Sequence, residues 1–587
     1  MRTANIPGIV TALLCLCLTA VTSANEGRNA ASGPPGAPST PAADAIYFGG
    51  DIVTMAGDGL EYVEAVAILD GKILAAGDLD VAAALKSDRT RMVDLQGRTM
   101  MPGFIEPHVH PSIAAVMLPN EIIAPYDWVL PRETKQGVQG HDEYIERLTE
   151  SIDKHGEAGE VYFVWGYHQL WHGELSRGLL NKIAPEKPVA VIHRSFHEIY
   201  LNDAAITLLG IKREQFEGHP QVDWADGHFY EGGWLALVPT LAPGMLEPSR
   251  YLQGLDILSE LVVKNGITTI AEPGFPNSNF DAEYQLLKVE MDKQPPYSVY
   301  LIPNGTQLYG MKGGNQEALA FIETLGDRYN TANIKFLPQQ IKLFCDGAIY
   351  SQLMQMKDGY TDGHHGEWMT PLDLFREQLN LYWDRGYKIH VHANGDLGVQ
   401  QVLDYNLLDQ QRKPRQDHRF TLHHLGYFTD EQAQQIADQG MEASVNPYYL
   451  WALADKYSEY GLGRERAEHL VRVKSLTSRG VPVSLHSDFS MAPMAPLTLA
   501  WTAVNRVTSK GSKFSPEQRI DLYTAMQAIT IHAARTLNLE QEIGSIEPGK
   551  EANFTLLADN PFKIDPFKLR DIAVIGTVYR GRATIVD

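Results

Sequence analysis

Through the middle of the chain, short apolar runs rich in β-branched residues alternate with longer segments whose apolar positions recur every three to four residues. By period, the runs are strands and the longer segments are amphipathic helices, the pattern of a parallel sheet with crossover helices. The runs that end in chemistry or a turn are Gly103 to His110, Ile267 to Glu272, Tyr297 to Ile302, Ile341 to Asp346, Lys388 to Asn394, Arg419 to Leu425, Glu442 to Pro447 and Pro482 to Asp488. Helical spacing covers Leu252 to Asn265, Asn315 to Leu325, Leu372 to Arg385, Thr429 to Gln439 and Arg464 to Arg479. Eight strands with intervening helices predict an α/β fold, a (β/α)8 TIM-type barrel whose active site lies at the carboxyl ends of its strands.

The two ends read differently. From Asp44 to Thr99 short alternating runs are broken by Gly and Asp: Ala45 to Phe48, Ala65 to Leu69, Lys72 to Ala76 and Met92 to Leu95, with Asp70-Gly71 as a hairpin turn. Hairpin chemistry returns after Ile543, in Gly544 to Lys550, Ala552 to Leu557, Ile575 to Arg580 and Ala583 to Val586. A few strands cannot form an independent core, so the two ends are expected to complete one another. Between the first and second barrel strands lie roughly 150 residues, too many for a crossover. They hold strand-like Val161 to Tyr167 and Val189 to His193 and many aromatics, among them Trp165, Tyr167, Trp171, Phe196, Tyr200, Trp224, Tyr230 and Trp234. This stretch, 113–245, reads as an insertion placed to cap a pocket, a reading the sequence favours only slightly over structural bulk.

Composition narrows the partners. A chain of 587 residues exceeds one ordinary core, and 44% hydrophobic with 21% charged residues is normal for a soluble globular protein. With 72 acidic and 50 basic side chains the formal charge is -22, which disfavours nucleic acid and anionic membrane surfaces. Arg2, the apolar run Ile9 to Val21 and then Thr22-Ser23-Ala24 have the form of a signal peptide over 1–24, so an exported, periplasmic protein is expected, with an uncleaved anchor as the alternative. Residues 25–43, rich in Ala, Ser, Gly and Pro, read as a flexible linker. Cys15 and Cys17 fall inside the signal, which leaves Cys345 alone and no internal disulfide. No later apolar run is long enough and free enough of charge to span a bilayer, and a homo-oligomer is compatible with everything above.

The chemistry starts at Met101 to Pro111, where His108 and His110 sit two apart, so that strand alternation sends both imidazoles to one side. Two neutral nitrogen donors on a rigid strand suit a zinc-class ion if other ligands converge; alone, the pair fits two ordinary strand histidines as well. The later strand ends supply partners: His390-Val391-His392-Ala393-Asn394, Leu422-His423-His424-Leu425 and Leu485-His486-Ser487-Asp488. The fourth strand offers no histidine but Lys342, which alternation points with Phe344 and away from Cys345. A lone buried lysine must be neutralised, paired or modified.

This order, His-x-His, strand Lys, His, His, Asp, resembles the amidohydrolase superfamily. The finer likeness is to its type 3 branch, which includes N-substituted formamide deformylase and exoenzyme regulatory proteins. It rests on Pro102 to His110, Ile341 to Gly347, Val391 to Asp396, Ser487-Asp488, Gly266 to Thr269 and Gly544 to Ala552. Trp165-Gly166, Ala184-Pro185 and His197 leading to Asn202 to Ala205 add to it inside the insertion. The resemblance covers nearly everything from residue 45 onward. It implies a barrel over 101–539 beside a composite β-sandwich built from 44–100 and 540–587. It also implies His108 and His110 on a more buried metal with Asp488, His392 and His424 on a second, and Lys342 bridging both as an N-carboxylate formed with carbon dioxide. Two zinc ions would activate a bridging water to hydroxide, and Asp488 would take its proton and pass it to the leaving nitrogen. His197 and Glu231 match positions of the branch's substrate pocket.

Some positions depart from or extend that pattern. His486 stands where the branch often has glycine, and would line the barrel or fill it. His390 is expected one layer deeper than His392, in the core or behind a ligand. His423 should point away from the site, and Asp362 to Gly366, in the loop after the fourth strand, reads as a solvated turn in preference to a substrate contact. The reading that follows is an exported hydrolase cleaving a carbon-nitrogen bond, amide, N-acyl or N-formyl, of a small organic substrate by metal-activated hydroxide. Deamination and lactone or ester hydrolysis would use the same metal site, and a non-catalytic small-molecule-binding or regulatory barrel is the competing class. The proton shuttle at Asp488 argues against a pure binder.

Overall fold

The computed structural model describes residues 41–586, so the expected signal peptide and most of the expected linker lie outside the described residues. Ala43 is already buried and donates its amide to the Leu85 carbonyl, one residue ahead of the expected start of order.

Every apolar run in the middle of the chain contains a strand: β1 (Phe104–Glu106), β2 (Ile267–Phe275), β3 (Ser298–Pro303), β4 (Gln340–Phe344), β5 (Lys388–Ala393), β6 (Thr421–His424), β7 (Glu442–Val445) and β8 (Val483–Leu485). β1, β2 and β3 form one parallel sheet with a short extra strand, Ile334–Phe336, and β4 to β8 form a second. Parallel bridges Asn304 to Lys342 and Val109 to Phe489 link the two sheets at both edges, so neighbours run in chain order from β1 to β8 and back to β1. Period-two alternation divides each strand: on β5, Ile389, Val391 and Ala393 join the main hydrophobic core, while His390 and His392 occupy the other face.

Two expectations on element length need correction. β1 stops at Glu106 rather than His110, because Pro107 has no N–H to give the ladder; His108 and His110 follow it in extended chain held by Val109 N–H to the Ala271 carbonyl and His110 N–H to the Phe489 carbonyl. The helix expected over Arg464 to Arg479 is two short ones, Arg464–Glu468 and Val473–Thr477. The buried guanidinium of Arg506 donates to the carbonyls of Glu468, Leu470 and Val471 at 2.9–3.0 Å, which draws that backbone out of the helical ladder. The other helices agree within a few residues, and Thr429 caps Asp430–Asp438 through a reciprocal bond with Gln432.

Strands from both chain ends share one eight-stranded sheet, in which Phe554–Leu557 pairs antiparallel with Thr99–Pro102. Asp70 (φ 50°) and Gly71 (φ 75°) make the expected tight turn between Tyr62–Leu69 and Lys72–Gly77. The insertion builds its own six-stranded sheet around Tyr162–Tyr167 and Val189–His193, and ends in helix α1 (Gly232–Met245). Trp165, Tyr167 and Trp171 lie in its core, whereas Phe196 and Trp234 reach the cavity beyond the strand ends. Among the described residues no helix is long and apolar enough to cross a membrane, and Cys345 is a buried free thiol.

Candidate active site

The ends of β1, β5, β6 and β8 bring their polar side chains to one cavity lined by His108, His110, His392, His424 and Asp488. Asp488 sits at the centre. Its Oδ1 is 3.4 Å from His108 Nε2 and 3.2 Å from His110 Nε2, and its Oδ2 is 3.6 Å from His424 Nδ1. To reach that position its backbone takes a left-handed φ of 55°, and its amide is tied to the His108 carbonyl. Donor atoms of His108, His424 and Asp488 lie within 4.8 Å of one another, the spacing of groups that can share one cation. The His392 and His424 rings are 4.3 Å apart, and His392 Nε2 accepts from Asn394 Nδ2 at 2.9 Å.

Several buried polar atoms around this point have no protein partner: Lys342 Nζ, His424 Nε2 and His110 Nδ1. Lys342 projects with Phe344, as alternation requires, and burial lowers its pKa to about 7. Burial likewise holds His108, His392, His424 and His486 well below the usual imidazole range, which leaves neutral lone pairs. His110 goes the other way: against burial, the carboxylates of Asp488 and Glu272 raise it to about 9, so the site attracts positive charge. Neutral imidazoles, a central carboxylate and partnerless donors form a set that fits a zinc-class cation.

His423 must be corrected. It does not point away: its Nδ1 is 2.7 Å from His108 Nδ1 and its Nε2 is 2.8 Å from His390 Nδ1. The parallel register pairs His423 with His392, which places both on the inner face, and His424 joins them because its φ of 77° turns its side chain inward at the strand end. His390 lies behind the site as expected. His486 lines the interior, with Nε2 3.3 Å from His424 Nδ1 and Nδ1 on Ser444 Oγ. The Asp362 to Gly366 turn is largely solvent-exposed, as expected, and does not line the cavity; His364 bonds Asp362 and the Gln352 carbonyl.

The insertion brings His197 and Glu231 to the same cavity. His197 Nδ1 is 2.8 Å from Glu231 Oε2, and this carboxylate, with Asp488 behind it, outweighs burial and raises the imidazole's pKa. Glu231 takes a strained φ of 43° at the start of α1, and its Oε1 is buried without a partner. Beyond it Trp234, Leu235, Val238, Ala242 and Met245 make an apolar wall. Sequence reasoning passed over Glu272, whose Oε1 is 3.8 Å from His110 Nδ1, and Tyr449, whose hydroxyl is 3.3 Å from His424 Nδ1. Glu272 ends a predicted strand, a signal that was present; Tyr449 follows β7 in an unmarked helix.

Known proteins resemble this one along most of its length. Protein LONG AFTER FAR-RED 3 of Arabidopsis thaliana is 25% identical over 562 residues, covering 92% of this chain and 91% of its own. N-substituted formamide deformylase of Arthrobacter pascens is 24% identical over 535 residues, covering 88% and 94%. An uncharacterized metal-dependent hydrolase from Pyrococcus horikoshii has the same fold, with a TM-score of 0.68 at 21% identity over 89% of this chain and 99% of its own. The pattern of the Amidohydrolase family matches residues 91–585, so the chain belongs to that family and is a hydrolase acting on carbon-nitrogen bonds.

Proposed function

We propose that this protein is an exported, metal-dependent hydrolase that cleaves the amide, N-acyl or N-formyl bond of a small organic substrate carrying an apolar substituent. The observation that carries the reading is the convergence of His108, His110 and His424 on Asp488, with partnerless Lys342 beside them. In this reading the two parallel sheets form a (β/α)8 barrel beside a composite β-sandwich over 44–100 and 540–587, and 113–245 is its lid. Export rests on the Ile9 to Val21 run and the small residues after it.

His108, His110 and Asp488 would hold one zinc ion and His392 and His424 a second, with Lys342 bridging them as an N-carboxylate. Lys342 suits that modification because burial leaves a substantial free-amine fraction near neutral pH, and the product is an anion where an unpaired ammonium would be costly. Bound there, the ions supply Lewis-acid polarisation of the scissile carbonyl and lower the pKa of water. Asp488, facing both His108 and His110, takes the water's proton and hands it to the leaving nitrogen. Glu231 Oε1 is free to accept an N–H of the substrate, the His197 partnership keeps that carboxylate aimed, and the α1 wall receives the apolar group.

Turnover of a matched panel tests this: N-formyl, N-acyl and ester derivatives of one apolar amine or alcohol, with metal content measured in the same sample. The expected result is hydrolysis of the nitrogen compounds, faster with a larger apolar group. Metal-loaded protein that hydrolyses only the esters would overturn the bond assignment.

A further inference from the structure

Behind His108 a line of buried groups runs through the interior to a backbone carbonyl. Leu537 O meets Gln340 Nε2 at 2.9 Å, Gln340 Oε1 meets His390 Nε2 at 2.8 Å, His390 Nδ1 meets His423 Nε2 at 2.8 Å, and His423 Nδ1 meets His108 Nδ1 at 2.7 Å. Gln340, His390, His423 and His108 are each no more than 1% exposed. The line crosses β4, β5 and β6 and ends where His108 Nε2 faces Asp488.

Only one direction of donation satisfies every link. A carbonyl can only accept, so Leu537 must face the Gln340 amide nitrogen, and Gln340 Oε1 must then accept from His390 Nε2–H. A neutral imidazole carries one N–H, so His390 Nδ1 is bare and accepts from His423 Nε2–H. By the same step His423 Nδ1 is bare and accepts from His108 Nδ1–H. His108 is left with its lone pair on Nε2. Run backwards, the chain would end with a bare His390 Nε2 against Gln340 Oε1, or with Gln340 Oε1 against the Leu537 carbonyl, and either leaves buried acceptors opposed. All three imidazoles are no more than 1% exposed, where an extra proton and its charge would be costly, so each carries one N–H, as the step-by-step assignment requires.

We propose that Gln340, His390 and His423 are positioning residues that lock His108 in its Nδ1–H tautomer, so that its Nε2 lone pair is always presented to the cation. This rests on the assignment of His108 as a metal ligand. Without the chain, His108 could instead place its proton on Nε2 and donate to Asp488, a bond the cation would have to break. Groups that orient a ligand in this way typically alter metal affinity by about 10–100-fold.

The test is zinc affinity, by competition with a chromophoric chelator, for the wild-type protein, His423→Leu and His423→Gln, with thermal unfolding of the metal-free proteins alongside. A glutamine can repeat the direction of the link, its Oε1 accepting from His108 and its amide donating to His390; leucine cannot. His423→Leu should bind zinc about 10–100-fold more weakly, and His423→Gln should recover most of that loss. The order of metal-free melting temperatures should not follow the order of affinities. Equal losses in both variants, or none in either, with a zinc-binding wild type, would overturn the proposal and leave the metal site standing. A wild type that takes no zinc would remove the site itself, and the proposal with it. Should His423→Leu fail to fold, neutron diffraction on wild-type crystals decides: deuterium is expected on Nε2 of His390 and His423 and on Nδ1 of His108, and a bare Nε2 on His390 would contradict the chain.

Discussion

Histidines gather twice in this molecule. Around Asp488 stand His108, His110, His392, His424 and His486; in the insertion, away from that cavity, His168, His172, His193 and His228 gather as well, the His168 and His193 rings 5.0 Å apart. In the insertion the nitrogens are spent on fixed partners. His172 bonds the Val138 carbonyl and the His168 amide, His193 bonds Ser195 and Gln169, and His228 bonds Glu198. His168 Nε2 lacks a partner, but both nitrogens of His172 and of His193 beside it are engaged. At the strand ends, by contrast, Lys342 Nζ, His424 Nε2 and His110 Nδ1 have no hydrogen-bond partner, and His108 Nε2, His110 Nε2 and His424 Nδ1 all face Asp488. Density of imidazoles therefore does not mark a metal site; convergent atoms without protein partners do.

That contrast can be broken experimentally. The largest effect is expected from Asp488→Asn, which keeps the side chain's shape and one oxygen but removes the proton acceptor: turnover should drop by about 10²–10⁴-fold while metal content stays, as steady-state rates beside elemental analysis would show. Unchanged turnover would move the proton shuttle elsewhere.

Acid should act on the insertion directly. Burial lowers His172 to about 3, and burial, opposed by Glu198, leaves His193 at about 4, whereas both titrate near 6.5 when unfolded. Depressed folded values mean stability that is complete above pH 6.5 and lost as pH falls towards 4 and then 3. His172 alone would cost ~3 kcal/mol at pH 4. Protection factors, exchange corrected for its intrinsic pH dependence, should fall in Tyr162–Tyr167 and Val189–His193 between pH 6.5 and 4; unchanged protection would show that these rings are not buried neutral.

The smallest effect is His228→Ala. It strips a donor from Glu198, itself 5% exposed, and should cost about 1–3 kcal/mol in chemical denaturation while leaving metal content untouched. A loss of metal would join the two histidine groups that the account keeps apart.

Legibility in the sequence followed local periodicity. The parallel strands showed because each is an apolar run, and His108, His110, His392, His424 and Asp488 showed because each stands where such a run ends. His423 was misplaced because its direction depends on register with β5 and on the positive φ of His424, neither of which alternation along β6 reveals. The break between Glu468 and Val473 was hidden because its cause, Arg506, is distant in sequence. Much of the insertion's sheet was silent for a simpler reason: Glu121–Ile122 and Val222–Asp223 are two residues long, too short for any period.

The most direct test of the account is metal stoichiometry of the purified protein, offered zinc and bicarbonate, for wild type and Lys342→Ala. Two ions per wild-type chain, falling to one or none in the variant, is the predicted result. A wild type that holds no metal under those conditions would contradict the claim that the open atoms around Asp488 are a metal site.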